Sequence, residues 1–571
     1  MAHLMLAVVL LLCTAAAASA ATTSQADAVA PPRLPCITFS PLAGALLVPG
    51  TPPRLATLGA ASPAALQLHT VHTAPALPAH VADVLALPHK CPRAACRPGD
   101  PSAAVCFRCN AATVCLVREE EEEEESGRAG MSASAMDMQP YWSTVGNDTE
   151  YPRTSNDILH NSIASLVGWE TAYVEHHWGP LHDFNAYPAG ETGIYSLDSG
   201  KMVTNEASKA PSANPRPIRV NIAADWGAGT RESAAVAALM ADNTTDWTMH
   251  LGDVYYVGTE EEVQANCLGN PPAGIEKGVV WPKGRLGSFA LNGNHEMYGR
   301  GWAYFDTFLP TLGPVGGGGQ KASYMMLANE HWRIIGLDTG YGTYETDDPA
   351  PIGGDHNNPQ PQVVIDWLRD VVKLADRNDT RPIVFAMHHQ SRTAFLETDS
   401  AYLSTPKQIR ALLDDDDDRT FYFAWGHEHR LAFYENGTAA GLNMYGRCIG
   451  NGGYPTRISK IPSHAREAQL QLFDSRVYTA LDGLLPSRIG FNGWAEYTFD
   501  GPSMHVAYKS LSAAGAGMPS FTNATLLVTE TFTGDAHGSV HMTSQAIVDK
   551  ELTVVEHAGG SERRAQPISR K

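Results

Sequence analysis

Beyond its N-terminus the 571-residue sequence has no apolar segment long enough to cross a bilayer. Positive charge is also scarce, because 41 Lys and Arg against 61 Asp and Glu give a formal net charge of -20. Seven consecutive Glu at 119–125 and five Asp at 414–418 supply twelve of the negative charges and are expected to be solvated surface. We therefore expect no nucleic-acid partner and no stable membrane anchor.

A phosphate-cradling P-loop is also missing. The glycine-rich stretch Gly313 to Gly319 has no following helix signal and no Lys-Ser/Thr pair, so it is predicted to be a flexible surface loop. At the N-terminus, an apolar run from Leu4 to Cys13 passes into small residues around Ala20. This pattern is typical of a secretory signal peptide at 1–20, although it lacks Lys and Arg at its start. A membrane anchor is the alternative, and we expect a secreted or lumenal protein (extracellular, lysosomal or vacuolar).

Cysteine usage favours the same compartment. Without Cys13, eight cysteines remain, and an even number in an exported chain favours disulfides. A zinc site remains an alternative because Cys106 and Cys109 have a plausible ligand spacing. Five N-glycosylation acceptor triplets add support, at Asn147, Asn243, Asn378, Asn436 and Asn523.

The chain is predicted to divide by composition. Residues 21–130 are rich in Ala and Pro, contain most of the cysteines and the Glu run, and are expected to be partly disordered. A lead-in segment at 131–215 precedes the main domain at 216–546, and 547–571 form a polar tail. Within 216–546, strand-like and helix-like stretches alternate, which predicts an α/β fold with helices covering sheets.

Five short polar segments follow predicted strands of this domain, where α/β folds assemble their sites. They offer two Asp, one Tyr, one Asn and three His side chains, a ligand set that suits two adjacent first-row cations. Such a pair of ions can bind a phosphoryl group and activate water, so the pattern predicts a metal-dependent phosphoester hydrolase. The segments are Asp225-Trp226-Gly227, Gly252-Asp253-Val254-Tyr255-Tyr256, Gly293-Asn294-His295-Glu296, Met387-His388-His389 and Gly426-His427-Glu428-His429.

From about Pro215 to Ala546 these segments resemble the calcineurin-like metallophosphoesterases, and among them the purple acid phosphatases. The first segment ends in Gly227, where the broader superfamily usually has His, and Tyr256 stands three residues after Asp253. This exchange is the mark of the purple acid phosphatases. The resemblance implies an α/β fold of two packed mixed β-sheets flanked by helices, an αββα sandwich.

The resemblance also implies two metal ions held by seven residues. Fe(III) is expected in the first site, because a tyrosinate is a hard anionic ligand, with Fe(II), Zn(II) or Mn(II) in the second. Asp253 would bridge the two ions. The first ion would be held by Asp225, Tyr256 and His429, and the second by Asn294, His388 and His427.

Three further residues are candidates for catalysis. His295 is expected to hydrogen-bond the phosphoryl oxygens or protonate the leaving group, and Glu296 to orient His295 or share this role. His389 is expected beside His388 or on the substrate side. A His pair that follows the His388 equivalent in the large plant-type enzymes is missing from Gln390 to Leu403. The separate cluster of His176, His177 and His182 is expected on the surface.

The sequence thus predicts a secreted acid phosphatase in which a metal-bound hydroxide attacks a small phosphomonoester. One alternative keeps the fold but makes the protein a phosphodiesterase or nucleotide hydrolase with two divalent ions. Another is a secreted binding or scaffold protein with a vestigial metal site.

Overall fold

The computed structural model describes residues 38–40, 45–47, 105–109, 112–116, 172–173, 175–176, 179–213, 215–343, 359–395, 402–458, 465–482, 485–515 and 518–555. The predicted signal peptide, the Glu run and Asn147 lie outside these residues. None of the helices in the described part of the chain is long and apolar enough to span a membrane. The chain forms two compact units, Met1–Met136 and Asp137–Lys571.

The first unit contains two short hairpins among its described residues. Strand β1 (Thr38–Ser40) pairs antiparallel with β2 (Ala45–Leu47), and β3 (Val105–Cys109) with β4 (Ala112–Leu116). In the second hairpin Cys106 lies opposite Cys115.

The second unit contains two large sheets. One has nine strands in the order β23-β16-β14-β15-β13-β12-β11-β10-β5, and the other has eight in the order β22-β21-β20-β19-β6-β7-β8-β9. The strands are β5 (Ile194–Ser196), β6 (Ile218–Ala223), β7 (Trp247–His250), β8 (Gly287–Ala290), β9 (Gly313–Pro314), β10 (Met325–Ala328), β11 (Arg333–Gly336), β12 (Ile383–Ala386), β13 (Thr420–Trp425), β14 (Leu431–Ala439), β15 (Leu442–Ile449), β16 (Leu470–Phe473), β17 (Val477–Asp482), β18 (Leu485–Gly490), β19 (Gly493–Asp500), β20 (Ser503–Ala513), β21 (Pro519–Gly534), β22 (Val540–Ile547) and β23 (Thr553–Val554). Strands β17 and β18 form a separate hairpin.

Short helices accompany the strands of the second unit. The α-helices are α1 (Asn205–Ser208), α2 (Arg231–Met240), α3 (Glu260–Asn266), α4 (Asn294–Tyr298), α5 (Gln362–Asp366) and α6 (Ser404–Leu412). Two π-helical turns lie at Tyr304–Phe308 and Trp367–Val371, and two 3-10 turns at Leu309–Thr311 and Tyr341–Thr343.

Both sheets are mixed, with parallel strands at their centres. β6, β7 and β8 are parallel in one sheet, and β11, β12, β13 and β15 in the other, whereas most outer pairs are antiparallel. Parallel central strands require crossover connections, which explains why helical stretches alternate with strands in the sequence. The predicted fold class, an α/β sandwich of two mixed sheets, is confirmed.

Alternation along each strand builds three apolar layers. Side chains such as Ile222 of β6 and Val384 of β12 meet in a central core between the sheets. On the outer face of the nine-stranded sheet, Phe385 packs in a cluster that includes residues of α5 and α6. The outer face of the eight-stranded sheet is covered by α2 and α3 through residues such as Val236 and Val263. Helices therefore flank both sheets, as the resemblance implied.

The nine-stranded sheet extends beyond the predicted boundaries of the main domain. Strand β5 belongs to the predicted lead-in segment, and β23 to the predicted tail, yet they are the two edges of this sheet. Both are only two or three residues long, so their composition gives little strand signal.

Two cysteines of the second unit are free. Cys267 ends α3 and Cys448 lies in β15, and each is buried as a free thiol. The expectation of disulfides is therefore wrong for these two residues. For the six cysteines between residues 36 and 115 it stays a prediction.

Candidate metal centre

The five motif segments lie at the carboxyl ends of five central strands. Asp225, Asp253 and Asn294 follow β6, β7 and β8, whereas His388 and His427 follow β12 and β13. Because parallel strands end at the same edge of their sheet, these loops converge. The predicted position of each segment after a strand is confirmed.

Four residues of these segments have a left-handed backbone conformation, which sets the direction of their side chains. Asp225, Asp253, His427 and His429 have φ angles of 56°, 79°, 68° and 47°. Non-glycine residues in this conformation cost of order 1–3 kcal/mol each and cluster at functional sites. The surrounding structure therefore holds four residues of the site in conformations that an unconstrained chain would avoid.

A first group of ligand atoms comes from Asp225, Asp253 and His429. One atom of each lies within 4.8 Å of the others, and Asp225 Oδ1 is 3.3 Å from His429 Nε2. The hydroxyl of Tyr255 lies between them, 2.9 Å from Asp225 Oδ1, 2.9 Å from Asp253 Oδ2 and 3.0 Å from His429 Nε2. Two carboxylates, an imidazole and a phenol thus surround one point.

The tyrosine hydroxyl in this group belongs to Tyr255, the neighbour of Tyr256, which the resemblance implied as the ligand. The chain continues in extended form after Asp253, since Val254 bridges Gly227 and the Tyr255 amide donates to the Gly227 carbonyl at 3.0 Å. The Tyr255 side chain enters the site beside Asp253, with its hydroxyl 2.9 Å from Asp253 Oδ2. Tyr256 is partly buried beside it.

A second group contains His388, Asn294, His427 and the other oxygen of Asp253. His388 Nε2 is 3.2 Å from Asp253 Oδ1, 3.1 Å from Asn294 Oδ1 and 3.3 Å from His427 Nδ1. Asp253 therefore presents Oδ2 to the first group and Oδ1 to the second. This is the arrangement expected of a bridging carboxylate.

The donor set of the second group fits a cation. His388 Nδ1 is 2.8 Å from the Leu251 carbonyl, which can only accept, so Nδ1 donates and the neutral ring turns the Nε2 lone pair inward. The Asn294 amide donates to the Tyr298 hydroxyl at 2.8 Å, which directs Asn294 Oδ1 to the same point. Several acceptor atoms converge there, and nitrogen and hard oxygen ligands suit first-row metals.

Without a bound cation, Asp253 favours the protonated form of the His388 ring. Burial lowers the pKa of His388, but the charge and hydrogen bond of Asp253 outweigh it and raise the pKa to about 9. A cation between the two side chains would displace that proton.

His295 lies beside both groups. Its Nε2 is 3.9 Å from Asp253 Oδ2, its Nδ1 bonds to the Tyr256 carbonyl, and its ring centroid is 4.3 Å from that of Tyr255. Burial lowers the pKa of His295, and Asp253 opposes this. The imidazole is therefore close enough to act on a group bound at the centre.

Glu296 is buried next to the centre and holds two backbone amides in place. Its Oε2 accepts from the amides of Asp253 and Gly293 at 3.1 and 3.0 Å, while Oε1 has no hydrogen-bond partner among the described residues. No hydrogen bond joins Glu296 to His295 in the described part of the chain, and the predicted role of Glu296 stays a prediction. Burial, followed by the charge of Asp253, raises the pKa of Glu296 to about 8.

His389 forms a group of three imidazoles with His388 and His427, in which one nitrogen of each lies within 4.8 Å of the others. Its Nδ1 is 3.0 Å from Thr339 Oγ1, and its ring centroid is 4.6 Å from that of His427. The Thr339 hydroxyl also accepts from the amides of His388 and His389 at 3.2 and 3.0 Å. This threonine holds the whole His388 loop.

Sequence reasoning missed Thr339, Tyr298 and Tyr255 as parts of the centre. Tyr298 could have been found, because it follows Asn294 by four residues and so shares one face of α4. Thr339 follows β11 after the residues Leu337 and Asp338, and no motif marks it.

The separate histidine cluster does not join the centre. His176 is exposed, as expected, and His177 lies outside the described residues. The expectation is wrong for His182, which is only 8% exposed, stacks on Phe305 at 4.8 Å and contacts Asp306 at 3.2 Å.

Two mixed sheets with helices outside and a paired ligand group at the strand ends define the architecture. No protein-family model and no curated protein matches the sequence. Solved structures do match, a purple acid phosphatase among them, but at TM-scores that say nothing about activity.

Three of these structures illustrate the match. A structure of PhoD is 11% identical over 59% of this chain and 73% of its own, with a TM-score of 0.38. Purple acid phosphatase PPD1 from yellow lupin (Lupinus luteus) seeds is 14% identical over 56% of this chain and 55% of its own, with a TM-score of 0.29. Vps29 of Chaetomium thermophilum is 10% identical over 56% of this chain and 98% of its own, with a TM-score of 0.22.

Proposed function

We propose that this chain is a metal-dependent acid phosphatase that hydrolyses small phosphomonoesters. The observation that carries the proposal is the two-sided contact of Asp253, whose oxygens face two separate groups of ligand atoms. Two cations held there would bind phosphoryl oxygens and lower the pKa of water, so that hydrolysis could proceed at mild pH.

Two sets of residues would hold the two metal ions. Asp225, Tyr255 and His429 would hold the first ion, and Asn294, His388 and His427 the second, with Asp253 between them. A phenolate is a hard anionic ligand, which favours Fe(III) in the first position and Fe(II), Zn(II) or Mn(II) in the second. His389 lies beside the second position, with one nitrogen within 4.8 Å of a nitrogen of His388 and of His427.

His295 would move the proton. Its Nε2 faces the centre, while Nδ1 is held by the Tyr256 carbonyl. Since that carbonyl can only accept, Nδ1 keeps its hydrogen and Nε2 is the atom that gains or loses a proton. A proton on Nε2 could pass to the leaving oxygen of the ester. Glu296 would act through Asp253, by fixing its backbone amide.

Export to an oxidising compartment is part of the proposal. The acceptor residues Asn243, Asn378, Asn436 and Asn523 are all exposed, although Asn436 and Asn523 lie on strands and not in loops. An exposed amide is what glycosylation in the secretory pathway requires.

The test is phosphate release from para-nitrophenyl phosphate at pH 5 by protein loaded with iron and zinc. Asp253→Ala should lower the rate by at least about 100-fold, because the carboxylate joins both groups. The control is Asp370→Ala, which removes a carboxylate that is 61% exposed. Unchanged turnover by Asp253→Ala would reject the proposal, and faster cleavage of bis-para-nitrophenyl phosphate would reject the monoester preference.

A further inference from the structure

His250 is a buried histidine to which the proposed chemistry gives no role. It is the last residue of β7, it is fully buried, and its ring lies nearly perpendicular to three aromatic rings. The ring centroids of Trp281, Trp226 and Phe308 lie 5.0, 6.0 and 6.0 Å from that of His250. Its Nε2 has no hydrogen-bond partner among the described residues. The hydrogen bond of this ring is made by Nδ1 instead.

Nδ1 of His250 accepts a hydrogen bond from the Gly252 amide at 3.2 Å. A backbone N–H can only donate, so Nδ1 carries the lone pair and the neutral ring carries its hydrogen on Nε2. Burial lowers the pKa of His250 to about 3, although the charge of Asp253 opposes the shift. The ring is therefore neutral, and Nδ1 remains an acceptor, at the mildly acidic pH of the proposed reaction.

The peptide group that His250 holds is also bound at its other end. The Gly252 N–H and the Leu251 carbonyl belong to one peptide unit, which is planar. The Leu251 carbonyl lies 2.8 Å from Nδ1 of the proposed ligand His388 and accepts its hydrogen. A rigid plane therefore joins the two imidazoles, with His250 on its amide side and His388 on its carbonyl side.

The same turn positions two carboxylates. The Gly252 carbonyl accepts from the Asp225 amide at 3.0 Å, and Asp253 is the next residue along the chain. Gly252 itself has a left-handed φ of 95°, so this turn is a conformation that has to be held. A change at the Gly252 amide would thus reach three proposed ligands at once.

We propose that His250 is a positioning residue of the metal centre, which orients the His388 imidazole through the peptide between Leu251 and Gly252. The inference rests on the metal centre of the proposed function and adds a residue that binds neither metal nor substrate. The hydrogen bonds run in one direction, from the His388 Nδ1–H to the Leu251 carbonyl and from the Gly252 N–H to His250 Nδ1. Bonds in such a chain polarise one another, so the acceptor on His250 strengthens the hold on His388 and makes its Nε2 a better ligand.

Two substitutions separate this hydrogen bond from the packing of the ring. His250→Phe keeps an aromatic ring but removes the acceptor, whereas His250→Asn keeps an acceptor oxygen near the position of Nδ1 and loses ring volume. Competition with a chromogenic chelator measures the Kd of the iron-loaded protein for zinc. His250→Phe should raise this Kd by about 10-fold or more, and His250→Asn should raise it less. The matched control is His182→Phe, at another buried histidine that stacks on Phe305 outside the centre, and it should leave the Kd unchanged.

The Tm of the metal-free variants shows whether packing is responsible. A role in packing alone predicts the opposite order, with the larger losses of Tm and of zinc affinity in His250→Asn. That order, or a Kd that His250→Phe leaves unchanged, would overturn the inference. Weaker zinc binding by His250→Phe supports it whether or not the protein releases phosphate, so failure of the inference and failure of the phosphatase function are distinguishable. A wild type that binds no zinc would overturn both.

Discussion

At the scale of single residues, the centre depends on which atoms are turned inward. Neighbouring carbonyls and hydroxyls decide this: Leu251 fixes the His388 ring, Tyr298 fixes the Asn294 amide and Thr339 fixes the His388 loop. Such outer contacts are typically worth 10–100-fold in metal affinity or activity. Six of the seven ligands that the resemblance implied lie in the two groups together with Tyr255, and Tyr256 stays a prediction.

Tyr255 gives the sharpest prediction at this scale. If its oxygen is bound to Fe(III), Tyr255→Phe should abolish the visible charge-transfer absorption of the iron-loaded protein, whereas Tyr256→Phe should keep it. The two adjacent tyrosines are each other's control, and absorption spectra make the comparison without any activity assay. Bleaching by Tyr256→Phe alone would restore the assignment implied by the sequence.

Gly252 tests how closely the loops approach one another. A Cβ there would lie 2.7 Å from the Gly293 amide nitrogen and 2.8 Å from His388 Nδ1. Gly252→Ala should therefore weaken metal binding by about 10-fold or more, measured by competition with a chelator. Gly316→Ala is a matched control, because Gly316 also has a left-handed φ but nothing lies within 4 Å of its Cβ position. Equal losses in both would show that φ strain alone is responsible.

The loop that carries Asp253 shows why two adjacent tyrosines are hard to tell apart from the sequence. Spacing from Asp253 suggested Tyr256 by resemblance. The outcome depends instead on an extended pairing of Val254 with Gly227, two segments that are distant in sequence. A one-residue change of register moves every side chain to the opposite face, and a single sequence does not specify that register.

At the scale of elements, the central strands were predictable and the edges were not. β6, β7, β12 and β13 are short runs rich in apolar residues, each followed by polar residues, which is a strong local signal. β5 and β23 have two or three residues and are defined by pairing with distant strands. The ligand positions were thus predictable because they follow the strongest strands.

A buried ion cluster connects β11 with the segment that precedes β12 and gives a prediction for pH. Asp379 accepts from Arg381 at 2.6 Å and lies 3.5 Å from Arg333, the first residue of β11. Burial raises the pKa of Asp379, but Arg381 and Arg333 outweigh this and hold it well below its usual range. The stabilisation is therefore present above the ordinary carboxyl pKa of about 4 and is lost as the pH falls towards the lower folded value.

Asp379→Asn should accordingly lower the free energy of unfolding at pH 7 by about 3–5 kcal/mol, because it leaves two buried guanidinium groups without their carboxylate. Urea unfolding at pH 7 and pH 3 measures this, and the difference between variant and wild type should shrink at pH 3. Asp366→Asn, at a carboxylate that is 45% exposed, should have little effect. A constant difference at both pH values would contradict the electrostatic origin.

At the scale of the whole molecule, the centre connects the two sheets. Asp225, Asp253 and Asn294 come from loops of the eight-stranded sheet, and His388, His427 and His429 from loops of the nine-stranded sheet. The order of strands within each sheet depends on long-range pairing that composition does not reveal. The two-sheet sandwich followed from the resemblance of the motifs.

Because cations would be held by both sheets, metal binding should stabilise the whole second unit. At metal concentrations about 100-fold above Kd the gain is about 2.7 kcal/mol, which should raise Tm by several degrees. Differential scanning calorimetry with and without a chelator measures the shift. Asp253→Ala should abolish most of it, whereas Asp370→Ala should retain it. A wild-type Tm that does not depend on metal would contradict the connection between the sheets.

The central claim is that Asp253 joins two metal positions in one centre. The most direct measurement is the metal content of purified protein after loading with iron and zinc, by inductively coupled plasma mass spectrometry. We predict two ions per chain in the wild type and in Asp370→Ala, and fewer than one in Asp253→Ala. One ion or none in the wild type, or two in Asp253→Ala, would contradict the account.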